Sequence, residues 1–112
     1  MDLVGTAEHY RDRLGFEIEP YFGDPPVFTH VRRGAVFIQL GKCLDPDRAT
    51  RAPDGVGLNA YIWVDDVDAL HREYLERGAE IVEGPVVRSY RCRELVVRDC
   101  NGLILCFAQD AA

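Results

Sequence analysis

The sequence predicts an α+β fold built from two similar halves, an α-β-β-β run followed by a β-α-β-β-β run. Three observations carry this. Two amphipathic stripes at helical spacing each stop at a glycine, and each is followed by short runs with strand-like alternation. The string Gly-x-Glu-Ile recurs at the same place in each half, at Gly15–Ile18 and Gly78–Ile81. The chain closes on two apolar runs around Asp99-Cys100-Asn101-Gly102, a hairpin signal because Asn and Gly tolerate positive φ.

Taken in order, Asp2 to Leu14 reads as a helix with Leu3, Ala7, Tyr10 and Leu14 on one stripe, Asp2 as N-cap and Gly15 as the stop. Gly5 weakens its first turn. Phe16 to Phe22 alternates as a strand, and Gly23-Asp24-Pro25-Pro26 is a turn. Val27 to Arg32 and Ala35 to Leu40 are strands around a tight Arg33-Gly34 turn. Gly41 to Gly57 has little periodicity and reads as a link.

Leu58 to Val64 is a strand. Asp65 or Asp66 caps a helix to Arg77, with Val67, Leu70 and Tyr74 on its stripe and Gly78 as its stop. Ala79 to Val82 is a strand, Gly84-Pro85 a turn, and the closing hairpin follows. The expected organisation is one domain over 1–112, with a first module at 1–41, a linker at 42–57 and a second module at 58–112.

Composition narrows the function classes. A chain of 112 residues buries about 65% of its unfolded surface, enough for a core without staples. The net charge of −6 argues against nucleic acid, whose phosphates need a basic surface, and favours a neutral or cationic ligand. Cys43, Cys92, Cys100 and Cys106 form no Cys-x-x-Cys pair. Met1 leads into no apolar leader, and no apolar run approaches the ~20 residues of a membrane span. Reduced thiols in a cytoplasm are therefore expected.

Strand alternation puts Asn59, Tyr61 and Trp63 on one face, and Ala60, Ile62 and Val64 on the other, against the second helix. Phe37 pairs with Gln39 by the same count, and Phe28 with His30. Glu94 and Val96 lie opposite Leu95 and Val97, while Ile104 and Cys106 lie opposite Leu105 and Phe107. Tyr61 and Trp63 form an aromatic wall suited to a flat or cationic ligand, and equally to filling a groove or a dimer seam. Glu94 is a candidate acceptor for a ligand cation, or else a solvated surface group. Cys106 is a small apolar filler unless a nearby cation makes it a thiolate, for which Arg91 and Arg93 on the adjacent strand are candidates. His9 and His71 fall on solvated helix positions, and no catalytic triad can be assigned from spacing.

Three stretches in this order, His9-Tyr10-Arg11-Asp12-Arg13-Leu14-Gly15-Phe16, Asn59 to Asp68 and Arg93 to Gly102, resemble the vicinal oxygen chelate superfamily. That superfamily contains glyoxalases, extradiol dioxygenases and bleomycin-resistance proteins. The Arg93–Asp99 run and Trp63 look most like the bleomycin-resistance branch. The resemblance implies paired βαβββ modules, each a curved sheet with a helix on its convex side, the first strand of module one being missing before Met1. It also implies a homodimer with ligand crevices at the subunit interface, and an open sheet edge covered by a partner or remodelled.

In metal-using members of that superfamily four side chains on the concave faces hold a divalent ion. The first would precede this chain, and the others fall at Gln39, Asn59 and Cys106. Two neutral amides and one thiol are a poor donor set for Zn²⁺ or Fe²⁺. The expectation is therefore no metal, no cofactor and no assigned catalytic residue. What remains is a small-molecule-binding protein using Phe37, Gln39, Asn59, Tyr61, Trp63, Glu94 and Cys106, possessing the look of an antibiotic-sequestering protein. The rival readings are a metal-dependent lyase or dioxygenase of the same superfamily, and a metabolite-binding module.

Overall fold

A computed structural model describes residues 1–41 and 59–111. The chain divides into two compact units, Met1–Ala49 and Thr50–Ala112. The expected linker at 42–57, Cys43 and the start of the fourth strand at Leu58 lie outside the described residues.

The first unit opens with helix α1, Leu3–Leu14. Asp2 caps it, its Oδ1 accepting the Gly5 N–H at 2.7 Å. A Cβ on Gly5 would lie 2.8 Å from that same oxygen, so the glycine that weakens the turn also makes room for its cap. Gly15 ends the helix at φ 73°, a left-handed conformation suited to glycine. Ala7, Tyr10 and Leu14 are buried, as their spacing requires. The Tyr10 ring packs edge-on against Phe16 at 5.5 Å.

Strands β1 (Glu17–Ile18), β2 (Phe28–Arg33) and β3 (Val36–Gly41) follow in the antiparallel order β1-β2-β3. The strand expected over Phe16–Phe22 is only two residues long. Pro20 has no N–H to continue the ladder. Phe22 returns for a single bridge to Phe28, and the buried Thr29 donates its Oγ1 hydrogen to the Glu19 carbonyl at 2.7 Å instead. The turn between β2 and β3 falls at Gly34-Ala35, one residue later than expected.

The second unit contains β4 (Ala60–Trp63), α2 (Val67–Arg77), β5 (Glu80–Val87), β6 (Cys92–Arg98) and β7 (Ile104–Asp110). Its sheet runs β4-β7-β6-β5, with β4 parallel to β7 and the other pairs antiparallel. Asp66 caps α2 through the Ala69 N–H at 3.0 Å, and Gly78 ends it at φ 75°. Val67, Leu70 and Tyr74 of α2 are buried with Ile62, Leu95, Val97, Leu105 and Phe107. Tyr74 meets Phe107 edge-on at 5.5 Å. Arg93 reaches the first turn of α2 and holds Asp68 with two bonds of 3.0 and 2.7 Å.

Two expectations change here. Gly84-Pro85 does not end β5; the strand continues to Val87 with register shifts on either side of Glu83. The reversal comes instead at residues 88–91, where the Arg88 N–H donates to the Cys92 carbonyl at 2.8 Å. The closing hairpin has a five-residue loop, residues 99–103, one longer than the four residues from Asp99 to Gly102 between the apolar runs. Asp99 Oδ1 accepts from the Asn101 and Leu103 N–H groups at 2.8 and 2.9 Å, and of Asn101 and Gly102 only the glycine has positive φ.

Candidate functional site

The register of the second sheet decides which side chains share its open face. Ile62 pairs with Phe107, and Leu95 also pairs with Phe107, which places all three against α2. The alternate pairs, Tyr61 with Cys106, Trp63 with Ala108, Val96 with Cys106 and Glu94 with Ala108, therefore point the other way. Tyr61 is 39% exposed and Trp63 is 61% exposed. Their rings meet edge-on at 5.4 Å and 81°. The expectation that these two rings look away from the helix agrees with this register.

Glu94 organises the face. It is 2% exposed, and its two oxygens are fully engaged. Oε2 accepts the Tyr61 hydroxyl at 2.7 Å and the Tyr90 hydroxyl at 2.6 Å. Oε1 accepts the Arg88 Nε–H at 3.0 Å, while Arg88 Nη1 donates to Glu83 at 2.8 Å. Burial by itself would raise the Glu94 pKa. Hydrogen bonds from Tyr90, Tyr61, Arg88 and Cys106 outweigh it and hold the carboxyl below the usual glutamate value. The same bonds work in reverse on the donors. Burial and the bond to Glu94 push the Tyr61 phenol up, and the bond to Glu94 and then burial do so for Tyr90.

The site residues expected from sequence separate as follows. Tyr61, Trp63, Glu94 and Cys106 come together on this face. Glu94 is not a solvated group, and it has no oxygen open to a ligand cation; its part is to hold two phenols and an arginine in place. Cys106 is fully buried, and burial followed by the neighbouring Glu94 charge pushes its thiol up to about 12. It is a neutral filler and not a thiolate: Arg93 is spent on Asp68, and the nearby Arg88 is outweighed by burial and the Glu94 charge.

Asn59 precedes β4. Its Oδ1 accepts the Ile104 N–H at 2.8 Å, joining the starts of β4 and β7. Phe37 and Gln39 belong to the first unit, at alternate exposed positions of β3, with Gln39 paired to His30. His9 and His71, expected to be solvated, are each half-buried.

Tyr90, Arg88 and Gly84 were not expected at the site. A Cβ on Gly84, at φ 99°, would lie 2.3 Å from the Glu94 carbonyl oxygen. Only glycine lets β5 approach the Glu94 backbone this closely. The signal for a longer β5 was the β-branched Val86-Val87 pair just after Pro85.

The donors at the positions implied by the resemblance do not fit a divalent ion. Cys106 keeps its proton, Asn59 spends its carbonyl oxygen on Ile104, and Gln39 offers only a neutral amide. Among the described residues no three His, Cys, Asp or Glu side chains gather as a metal-holding group.

No protein-family profile matches the chain, and no curated protein does. Solved structures match over nearly its whole length. TioX from Micromonospora sp. ML1 is 21% identical, with 99% of this chain and 90% of that one covered at a TM-score of 0.72. TnmS3, an antibiotic binding protein from Streptomyces sp. CB03234, is also 21% identical, covering 98% and 88% at a TM-score of 0.76. A glyoxalase/bleomycin resistance protein/dioxygenase from Alicyclobacillus acidocaldarius is 16% identical, covering 99% and 85% at a TM-score of 0.79. The chain thus has the glyoxalase/bleomycin-resistance fold, that of the vicinal oxygen chelate superfamily, as its three motifs led one to expect.

Proposed function

We propose that the protein captures a small aromatic molecule on the open face of its second sheet, by stacking and hydrogen bonding and without a metal ion, in the manner of an antibiotic-sequestering protein. The observation that carries this reading is the exposed, edge-on Tyr61–Trp63 pair with its phenol anchored on the buried Glu94. An exposed Trp and Tyr are costly to leave in water and present flat faces to a flat guest. The anchoring bond removes rotamer freedom before the guest arrives, which lowers the entropic cost of binding. TnmS3, an antibiotic binding protein of the same fold, lends support.

The reading includes a homodimer. β3 is an edge strand among the described residues, with Phe37 59% exposed on it, and such edges are ordinarily covered. Light scattering that returns a monomer mass would remove this part. Cys92 and Cys106 are free thiols, which supports a reducing, cytoplasmic compartment.

The test is a thermal-shift screen of planar aromatic antibiotics, bleomycin included, with a chelator present. A binder of the native state raises Tm by an amount that grows with the logarithm of its concentration over Kd. The reading expects at least one compound to raise Tm for the native protein and to lose that effect with Trp63→Ala. A panel without any shift rejects it.

A further inference from the structure

We infer that the site selects planar ligands that bring neutral hydrogen-bond donors, O–H or N–H, to the paired hydroxyls of Tyr61 and Tyr90, and rejects analogues that bring only acceptors there. The inference rests on the binding reading above and adds the polarity of the ligand edge.

The hydrogens available at the cluster set this polarity. An ionised carboxylate accepts and never donates. Both phenol oxygens lie on the same atom, Glu94 Oε2, at 2.7 and 2.6 Å. Each phenol has a single hydrogen, and each is therefore committed to Glu94. What each hydroxyl has left is acceptor capacity, which at Tyr61 is shared only with the weak donor thiol of Cys92, so toward any further partner both act as acceptors. Because they share one carboxylate oxygen, the two hydroxyls lie within two hydrogen-bond lengths of each other. One edge of a flat molecule can meet both.

The charge balance selects among donors. Glu94 is already paired with Arg88, and Arg88 with Glu83, at 3.0 and 2.8 Å. No oxygen of Glu94 remains for an ammonium, and the guanidinium places a positive charge beside the phenols. A neutral O–H or N–H meets no such repulsion. Trp63, edge-on to Tyr61, supplies a flat apolar surface next to the acceptor pair. A ligand offering two ether oxygens in place of two hydroxyls would set lone pairs against lone pairs, and should bind about tenfold or more weakly.

The experiment uses the full chain with chelator present and follows the fluorescence of Trp63, the only tryptophan in the sequence. The probes are a naphthalene bearing two adjacent hydroxyls and its dimethyl ether. The diol is expected to bind at least about tenfold more tightly than the ether. With Glu94→Gln, whose amide can donate to the phenol oxygens and let their hydrogens turn outward, that ratio should fall toward one. Tyr61→Phe should reduce it too, and remains readable if Glu94→Gln fails to fold. An ether that binds as well as the diol, or a ratio that survives in every folded variant, overturns the polarity inference while leaving the binding reading intact. Failure of both probes to bind native protein counts against the aromatic face itself, and the inference falls with it.

Discussion

The Tyr61 hydroxyl on β4 and the Glu94 carboxylate on β6 meet at 2.7 Å although a third strand, β7, runs between them. They reach each other over the two small residues that β7 presents on this face, Cys106 opposite Tyr61 and Ala108 opposite Glu94. Both are fully buried. The role of Cys106 follows from its size as much as from its chemistry: a larger side chain would stand between the phenol and its acceptor.

Ala108→Leu tests this bridging directly. The added side chain should wedge between β4 and β6, cost ~1–3 kcal/mol of stability, and break the Tyr61–Glu94 bond. Urea denaturation gives the first quantity. The second appears as a Tyr61 titration that moves back toward that of free tyrosine. A variant as stable as the parent with an unchanged titration would show that β7 does not set the spacing.

The ionisation of the cluster gives a stability profile with two declining limbs. The folded Glu94 pKa is depressed, so its contribution is complete above the unfolded value of ~4.3 and is lost as pH falls through the lower folded value. The folded phenols of Tyr61 and Tyr90 and the Cys106 thiol are raised, so theirs is complete below the unfolded values of ~10 and ~8.5 and is lost as pH climbs beyond them. Denaturation series into acid and alkali should show both. Tyr61→Phe should flatten the alkaline limb, and an unaltered limb would contradict the assignment.

Gly84→Ala should be among the most damaging single-methyl additions in the second unit. The new carbon would meet the Glu94 carbonyl oxygen at 2.3 Å, at a backbone φ of 99° that alanine rarely adopts. A loss above ~2 kcal/mol is expected, together with weaker aromatic binding as β5 retreats from Glu94. Wild-type stability in this variant would show that the close approach is not required.

Much of this was legible because it is local. The caps at Asp2 and Asp66, the stops at Gly15 and Gly78, and the stripes of both helices depend on residues within a turn of one another. The alternation of Tyr61, Ile62 and Trp63 needed only the period of a strand. What escaped depends on distant pairing. Arg88 and Tyr90 join the site only because β5 runs past Gly84, and that continuation depends on the backbone of Glu94 across the sheet. Local turn chemistry at Gly84-Pro85 pointed the other way. Asn59 sat at a face position by counting, yet a backbone N–H from β7 claims its oxygen. The state of Cys106 depended on burial, which spacing does not report.

Thiol reactivity should separate two cysteines of the same sheet. Cys106 is fully buried with a thiol pushed up to about 12, while Cys92 is half-buried near the β5–β6 turn. Alkylation at mildly alkaline pH, mapped by mass spectrometry, should label Cys92 well before Cys106 in the native state. Faster labelling of Cys106 would restore it as a reactive group.

The most direct measurement is a fluorescence titration of Trp63 with the naphthalenediol, in parallel with and without chelator. The account predicts saturable quenching at one site per chain, unchanged by the chelator, and at least tenfold weaker with Tyr61→Ala, in line with the ~1.5 kcal/mol expected for losing a ring contact and its anchored hydroxyl. Quenching that vanishes with chelator and returns with a divalent metal would contradict it, as would a tryptophan that does not respond at all.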